Sequence, residues 1–369
     1  MTIVQPTYQV SVLNTSFVEV ALLQPITTHY VRALNGLTAC SIDLKADDAK
    51  IVDCTYMRYI RITRDGVIVW VGRIDDDAWL DSGNPDEEAA KIYALDAWGP
   101  EHYLDWRTIP RPAGVDFDTR SGTADNVAKA YVRYHAGASA GTGRPFADLF
   151  VQADTSQVGT TTQNLVGSTL YDHINTIANT PTTNYGPFWW GFVPHYTATV
   201  FDGFEFKTAY PLWGLDRTKG NGVNEELILS RSAGTVQRVS FKGGGADHRN
   251  VAYVYGSGTG AAQASRTVTD AAMITAWGRR EVWADAGNYT TNAELDAEGA
   301  RVLYEKRARI YLTADVLPGV IDLDNLGDKC TIATNRYGRA ISAPAVVTAL
   351  NVTVGVDGIE IITPTVVTL

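Results

Sequence analysis

Two glycine-rich segments have the spacing of reactive motifs, and the first is Gly137-Ala138-Ser139-Ala140-Gly141. This spacing matches the G-x-S-x-G nucleophile elbow, in which a strand turns sharply into a helix and exposes the serine hydroxyl. Here a helical pattern precedes the match, and a loop of small residues follows it up to Pro145. The sequence therefore favours a flexible loop over a nucleophile at Ser139.

The second segment, Gly256-Ser257-Gly258-Thr259-Gly260, follows the apolar run VAYVY. A dinucleotide fingerprint also follows a strand, but it opens a helix inside a β-α-β unit. No alternation of strands and helices surrounds this segment. We therefore predict a hairpin or loop, and a nucleotide-dependent enzyme is the most distant of the functions considered.

Acidic residues cluster in Asp75-Asp76-Asp77 and in the run DLDNLGD, from Asp322 to Asp328. The second run departs from the EF-hand pattern, because Leu326 stands where Asp or Asn is needed and no glutamate closes the loop. We predict a turn at each cluster, the second a solvated turn directly before a strand. The histidines lack metal-ligand spacing; they are His29, His102, His135, His173, His195 and His248. No catalytic residue, cofactor site or metal site is predicted.

Two adjacent tryptophans, Trp189 and Trp190, stand in the aromatic run PFWWGF from Pro187 to Phe192. On a strand, neighbouring side chains point to opposite faces. One indole would then fill a core, while the other would meet solvent, another subunit or a sugar. A chain rich in strands has edges to cover, so burial in a subunit interface is favoured over glycan binding.

The composition is that of a folded protein, with 369 residues, 45% of them hydrophobic and 20% charged, and a formal charge of −10. This length favours two or three domains. An acidic chain is a poor holder of nucleic acid, since affinity for phosphates comes from Lys and Arg. Cys40, Cys54 and Cys330 show no C-x-x-C spacing, and the start of the chain lacks a signal-peptide pattern. With no apolar run long enough to cross a bilayer, we expect a protein kept in a cytoplasm.

The first and last thirds of the chain are predicted to be strands, and the middle carries helices. MRYIRITRDGVIVWVGRI has the form strand, glycine turn, strand, and DKCTIATNRYGRAISAPAVV has the same form. Helices are predicted in TADNVAKAYVRYH and STLYDHINTIAN, and in a third segment with Thr291 and Glu294 at capping-box spacing. Two copies of one barrel module separated by a helical insert would explain this order, and chance recurrence of hairpins is the alternative.

The order of segments resembles that of the tail hub, or baseplate hub, proteins of long-tailed bacteriophages, in particular the Gp37-like siphophage tail proteins. The similar segments are FVEVALL, LTACSIDL, AKIVDCTYMRYIRITRDGVIVWVGRIDD, KIYALDAWGPEHYLDWRTI, NVAYVYGSG, the helix from Asn292 to Arg307, and NLGDKCTIAT with its closing hairpin. The resemblance is one of pattern along nearly the whole chain.

This resemblance implies a mainly β fold with α insertions (α+β). It implies a tail-tube-like antiparallel β-barrel domain at 1–112, an inserted α/β region at 113–224, and a second such barrel domain at 225–369. It further implies a homotrimeric ring with pseudo-sixfold symmetry in the virion, at the tail tip, assembled in the host cytoplasm. The implied partners are the distal tail protein, the tape measure protein, the tail tube protein and a central spike or fibre, with genomic DNA passing through the lumen.

The sequence thus favours a structural, non-enzymatic subunit without stable membrane insertion. The alternative is a glycan-binding adhesin or glycoside hydrolase that uses the Trp-rich middle region.

Overall fold

The computed structural model describes residues 6–80, 92–179, 187–244, 247–287, 289–307, 309–336 and 338–368, which form 23 strands and five helices. The helices are α1 His102–Asp105, α2 Ala124–His135, α3 Leu170–Asn179, α4 Ala271–Trp277 and α5 Asn292–Glu305. Among these residues there is no helix with the length and apolar character needed to cross a bilayer.

The strands of the first part of the chain are β1 Tyr8–Leu13, β2 Glu19–Leu23, β3 Thr27–Ala33, β4 Ala39–Lys45, β5 Tyr59–Arg64, β6 Val67–Leu80 and β7 Ile92–Trp98. Those of the middle are β8 Thr108–Ile109, β9 Asp118–Thr123, β10 Leu149–Val151, β11 Thr160–Leu165, β12 Gly167–Thr169, β13 Trp189–Thr197 and β14 Val200–Ala209. Those of the last part are β15 Ile228–Leu229, β16 Val236–Gly244, β17 Val251–Tyr255, β18 Ser265–Thr269, β19 Glu281–Asp285, β20 Arg309–Val316, β21 Lys329–Arg336, β22 Arg339–Gly355 and β23 Glu360–Thr368.

The main sheet has 11 strands and combines the two ends of the chain. Its order is β15-β21-β22-β3-β4-β7-β6-β5-β1-β2, with β23 on the other edge of β22. The long strand β22 pairs with β21 along its first part and with β3 from Ala349 to Gly355. The described strands form no closed barrel, so the predicted barrels are not confirmed; the mainly β character with few helices is.

Both predicted hairpins are present in this sheet. In the β5–β6 hairpin, Asp65 and Gly66 have φ of 52° and 80°, and positive φ at both turn positions is typical of a tight type I′ turn. In the β21–β22 hairpin, Arg336 pairs with Arg339 and Gly338 has φ of 73°. The predicted turn at Asp75-Asp76-Asp77 is wrong. These residues continue β6, and the pairing with β7 shifts at a bulge between Ile74 and Asp76.

One region of the main sheet buries both of its faces. On β5, Ile60 and Ile62 belong to the core between the strands of the chain's two ends. Tyr59, from the opposite face of the same strand, belongs to a second core with α2, α3 and the sheet β10-β14-β13. Because side chains alternate along a strand, β5 acts as a wall between the main core and the inserted region.

The predicted helices of the insert are confirmed, with one adjustment at a cap. In α3, Leu170, Ile174, Ile177 and Ala178 are all buried, as their spacing predicted. In α2, the buried face includes His135 rather than the exposed Tyr134. Thr123 occupies the N-cap position of α2, but its side chain makes no capping hydrogen bond.

A third, smaller core lies where α5 packs on the sheet β18-β17-β19. The capping box between Thr291 and Glu294 begins α5 as predicted, and Leu295, Val302 and Leu303 are buried. Gly299 lies at the closest approach of α5 to the sheet, because a Cβ there would come within 2.4 Å of Val268 Cγ2.

Gly299→Ala is therefore expected to lower the free energy of unfolding by about 1–3 kcal/mol, the usual cost of overpacking. The sign of this change in the free energy of unfolding is informative. Without the close contact, alanine would stabilise the helix, because its helix propensity is better than that of glycine by about 1 kcal/mol. Urea unfolding followed by circular dichroism measures the change. The double variant with Val268→Ala should regain part of the loss, since it removes the methyl group that alanine would strike; a stabilising Gly299→Ala alone would contradict the close packing.

Candidate functional site

The motifs that could carry chemistry are dispersed over the fold. Gly137–Gly141 follows α2 and forms a loop in which Ser139 is exposed. Gly256–Gly260 connects β17 to its antiparallel neighbour β18, which is the predicted hairpin loop. Across the described ranges, no three His, Cys, Asp or Glu side chains come together as metal ligands.

The run from Asp322 to Asp328 forms a short 3-10 turn before β21, as predicted, but the turn is not fully solvated, because Leu323, Leu326 and Asp328 are buried. Its last carboxylate has a structural role, because Asp328 is buried and accepts a hydrogen bond of 2.7 Å from the Leu215 backbone N–H. Asn325 Nδ2 also donates to Asp328, at 3.0 Å. This aspartate fixes the segment that leads from the inserted region to the last part of the chain.

The two adjacent tryptophans point to opposite faces as predicted, but each contacts a core, Trp189 the main core and Trp190 that of the inserted region. Trp190 is fully buried, and its indole N–H donates to Asn175 Oδ1 of α3 at 3.0 Å. Trp189 is half-buried and donates to the Pro211 carbonyl oxygen at 3.2 Å. Trp190 is therefore a core residue and is closed to any glycan.

The densest polar cluster joins the main sheet to the inserted region. Arg73 of β6 donates to the hydroxyl oxygens of Tyr59 and Tyr103, at 2.7 and 3.2 Å. Both tyrosines donate to Asp148 Oδ2, at 2.8 and 2.5 Å. The guanidinium also lies over the Tyr59, Tyr103 and Trp106 rings, at 5.2, 5.2 and 5.9 Å from their centroids. We call Arg73, Tyr59, Tyr103 and Asp148 the arginine–tyrosine junction.

Electrostatics favours a charged arginine and neutral tyrosines in this junction. Burial raises the pKa of Tyr103 far above its ordinary value, and the Asp148 carboxylate raises it further. Burial lowers the pKa of Arg73, but Tyr103, Tyr59 and Asp148 outweigh that effect, and the net shift is upward. A half-buried guanidinium is stabilised by such partners. In the sequence, the only sign of this cluster was Arg73 itself, a charged residue within the apolar run VIVWVGRI.

A second polar cluster links β1 to β23, which lie far apart in the strand order. Tyr8 donates to Glu360 and lies 3.3 Å from the Tyr30 hydroxyl oxygen. Arg64 bridges Glu360 at 3.0 Å and Asp322 at 3.2 Å. Burial raises the pKa of Tyr30 to about 12. Side chains, rather than a hydrogen-bonded ladder, thus connect these ends of the curled sheet.

The edge strand β2 exposes apolar side chains. Val20 and Leu22 are 39% and 43% exposed, and Val18 just before the strand is 59% exposed, while Ala21 and Leu23 point into the core. Among the described strands, β2 pairs only with β1, so its outer edge is unpaired. Lys50 donates to the Leu22 carbonyl oxygen and covers one position. An unpaired edge with apolar side chains is a surface suited to association.

A buried carboxyl group lies beside α1. Glu101 is 4% exposed and accepts a hydrogen bond of 2.5 Å from Thr38 Oγ1. Burial raises the pKa of Glu101 to about 7, and burial lowers the pKa of the neighbouring His102 to about 4. Glu101 also lines a cavity of about 100 Å³ between the main sheet and β13.

Residues 48–366 match the family described as Siphovirus ReqiPepy6 Gp37-like protein. No curated protein matches the sequence.

Three solved structures with a similar fold are tail proteins. The tail protein from Neisseria meningitidis MC58 has a TM-score of 0.53 at 13% identity, covering 97% of this chain and 96% of that one. Prophage tail protein gp18 from Listeria monocytogenes EGD-e has a TM-score of 0.56 at 12% identity, covering 97% and 94%. The prophage MuSo2 43 kDa tail protein from Shewanella oneidensis has a TM-score of 0.53 at 14% identity, covering 98% and 97%. At these identities the likeness establishes a shared fold.

Removing the carboxylate from the arginine–tyrosine junction should be costly. Asp148→Ala is expected to lower the free energy of unfolding by about 2–4 kcal/mol, because the two tyrosine hydroxyls lose their acceptor and Arg73 loses a nearby opposite charge. Chemical unfolding measures this. The matched control is Asp154→Ala, whose carboxylate is 53% exposed and pairs with Arg133 at 3.1 Å; it should cost no more than about 1 kcal/mol. Equal losses would show that the junction contributes nothing special.

Glu101 should make the protein less stable as the pH rises from about 4.5 to about 7. In this window the folded state holds a proton that the unfolded state has released, so stability falls with pH and then levels off. His102 opposes this, because its lowered pKa makes stability rise between about 4 and 6.5. Comparing the thermal midpoints of the unsubstituted protein and the Glu101→Gln variant across pH isolates the contribution of this carboxyl group to stability. Identical pH profiles for the two proteins would refute the prediction.

Proposed function

Because the chain belongs to the Siphovirus ReqiPepy6 Gp37-like protein family, we propose that it is a structural virion protein, the hub at the distal end of a phage tail. The fold shared with three tail proteins over at least 97% of this chain supports a role in the tail. The single observation that carries the proposal is the family match over residues 48–366.

The hub is proposed to be a homotrimer, in which each subunit supplies two tube-like modules and the ring has pseudo-sixfold symmetry. The modules are residues 1–112 and 225–369, separated by the inserted region 113–224. The matching hairpins β5–β6 and β21–β22, each with a glycine of positive φ in its turn, support a repeated module. Such a ring adapts a hexameric tube to a threefold tip.

The exposed edge of β2 supports an assembling rather than an isolated subunit. Val20 and Leu22, with Val18 just before the strand, form an apolar row beside an outer edge that has no partner among the described strands. Closed symmetric rings cover such edges by pairing one copy with the next. In this proposal the β2 edge meets a neighbouring subunit of the ring.

The partners proposed for the hub are the distal tail protein, the tape measure protein, the tail tube protein and a central spike or fibre. Genomic DNA passes through the lumen during ejection. A chain with a formal charge of −10 suits that passage, since a lining rich in Lys and Arg would retain phosphates. Lumen-facing positions are therefore expected to be poor in both residues.

A glycan-binding role for the adjacent tryptophans has less support. Trp190 is buried in the core of the inserted region, and the Trp189 indole N–H is engaged by Pro211. A structural, non-enzymatic subunit remains the proposal that the family and the fold favour.

Sedimentation analysis tests the assembly. The 40.1 kDa chain is expected to form trimers, alone or with the distal tail protein. Replacing Val20 and Leu22 together by lysine should shift the population towards monomer, because two charges would be buried at the contact. Val223→Lys is the control, since Val223 is 87% exposed and lies away from β2 in a loop. A chain that stays monomeric with its partner present contradicts the hub.

A further inference from the structure

The small sheet β18-β17-β19 has one face covered by α5 and one face open. On β17, Ala252 and Val254 point into the core beneath α5, and Tyr253 and Tyr255 alternate with them on the other face. On β19, Trp283 stands between Val282 and Ala284, which pack against the same core. Three aromatic side chains therefore share the open face. We call Tyr253, Tyr255 and Trp283 the aromatic platform.

We propose that the aromatic platform binds an uncharged oligosaccharide, a role beyond that of a tail hub. Trp283 is 64% exposed, the most exposed tryptophan among the described residues. Its ring lies 6.3 Å from that of Tyr255, with 32° between the planes. An exposed indole beside a tilted phenol offers an apolar surface on which the C–H face of a sugar ring can stack.

Polar side chains at the border of the platform are held in place. Arg279 donates to Glu281 at 2.6 Å and to the Tyr253 hydroxyl oxygen at 2.8 Å. Tyr253 in turn donates to Glu281 at 3.0 Å. Side chains already fixed by such bonds lose little entropy when they receive a ligand. They supply donors and acceptors next to the rings, as sugar hydroxyls require.

A depression of about 330 Å³ continues the platform across β17 to β18. Its lining comprises Tyr253, Tyr255, Ser265, Arg266 and Thr267. Ser265 and Thr267 lie opposite Tyr255 and Tyr253 in the antiparallel pair, so their hydroxyls share the open face. The volume is at the lower end of the range for small-ligand sites, about 300–1,000 Å³. One or two sugar units match this size.

The chemistry of the border selects this ligand over others. Glu281 is paired with Arg279, Arg266 is paired with Asp296, and Asp285 is exposed on β19, so these side chains leave no surplus positive charge to attract the phosphates of a nucleic acid or the carboxylates of an acidic glycan. A subunit interface is usually depleted of charge at its centre and buries about 800 Å² per partner. This face instead has one highly exposed apolar side chain, with charges and hydroxyls beside it.

The test uses the full chain and an array of uncharged bacterial oligosaccharides, followed by titration with triacetylchitotriose, cellotriose and maltotriose. Binding is expected to be weak, with a Kd on the order of 1 mM, and to quench tryptophan fluorescence. Trp283→Ala should weaken it by about tenfold or more, and Trp283→Phe should retain part of it. Trp277→Ala is the matched control, because Trp277 is 50% exposed but lies on α4 against His248.

Each outcome decides the proposal. Saturable binding that falls with Trp283→Ala and survives Trp277→Ala supports it. The proposal is overturned if the array and all three trisaccharides give no binding. It is equally overturned if the two tryptophan variants bind the sugar equally, or if Trp283→Ala changes only the mass of the protein in solution. Circular dichroism verifies that the variants fold. Trimer formation is not needed for this measurement, so a failed hub proposal would leave the result unaffected.

Discussion

Burial on both faces of β5 is the constraint on which the arrangement of this chain depends. Ile60 and Ile62 must contact one core, while Tyr59 must contact another. Since a shift of one residue would exchange the two faces, the register with β1 and β6 is fixed by two cores at once. The inserted region is thereby attached to the main sheet as a second layer.

Two clusters of polar side chains connect the layers of this structure. The arginine–tyrosine junction lies between the main sheet and the insert, and the cluster of Tyr8, Arg64 and Glu360 connects strands from the chain's two ends. In both places a guanidinium is surrounded by oxygen acceptors contributed by distant segments. Charged hydrogen bonds of this kind are directional, so they add specificity to layers whose apolar contacts alone would tolerate sliding.

Local patterns in the sequence predicted the local structures well. The spacing of Ile174 and Ile177 gave α3 its buried face, and the Asp65-Gly66 turn joined two strands as expected, because both signals act within a few residues. Pairing of Ala33 with Ala349 was beyond such reasoning, since nothing near either residue specifies a partner so far along the chain. The turn predicted at Asp75–Asp77 was wrong for a related reason. The hydrogen-bonded ladder with β7 outweighs the turn preference of aspartate. Nothing in the sequence indicated that Asp148 would be the acceptor in the arginine–tyrosine junction.

The place of β22 has a consequence for biosynthesis. One edge of β3 is completed only by residues 349–355, so it stays open on the ribosome while most of the chain is translated. At about 5–20 residues per second, that interval is on the order of half a minute. A nascent chain with an open sheet edge for so long is exposed to wrong pairing with its neighbours on a polysome. The yield of folded protein would then depend on how long this edge stays unpaired before the last two strands emerge.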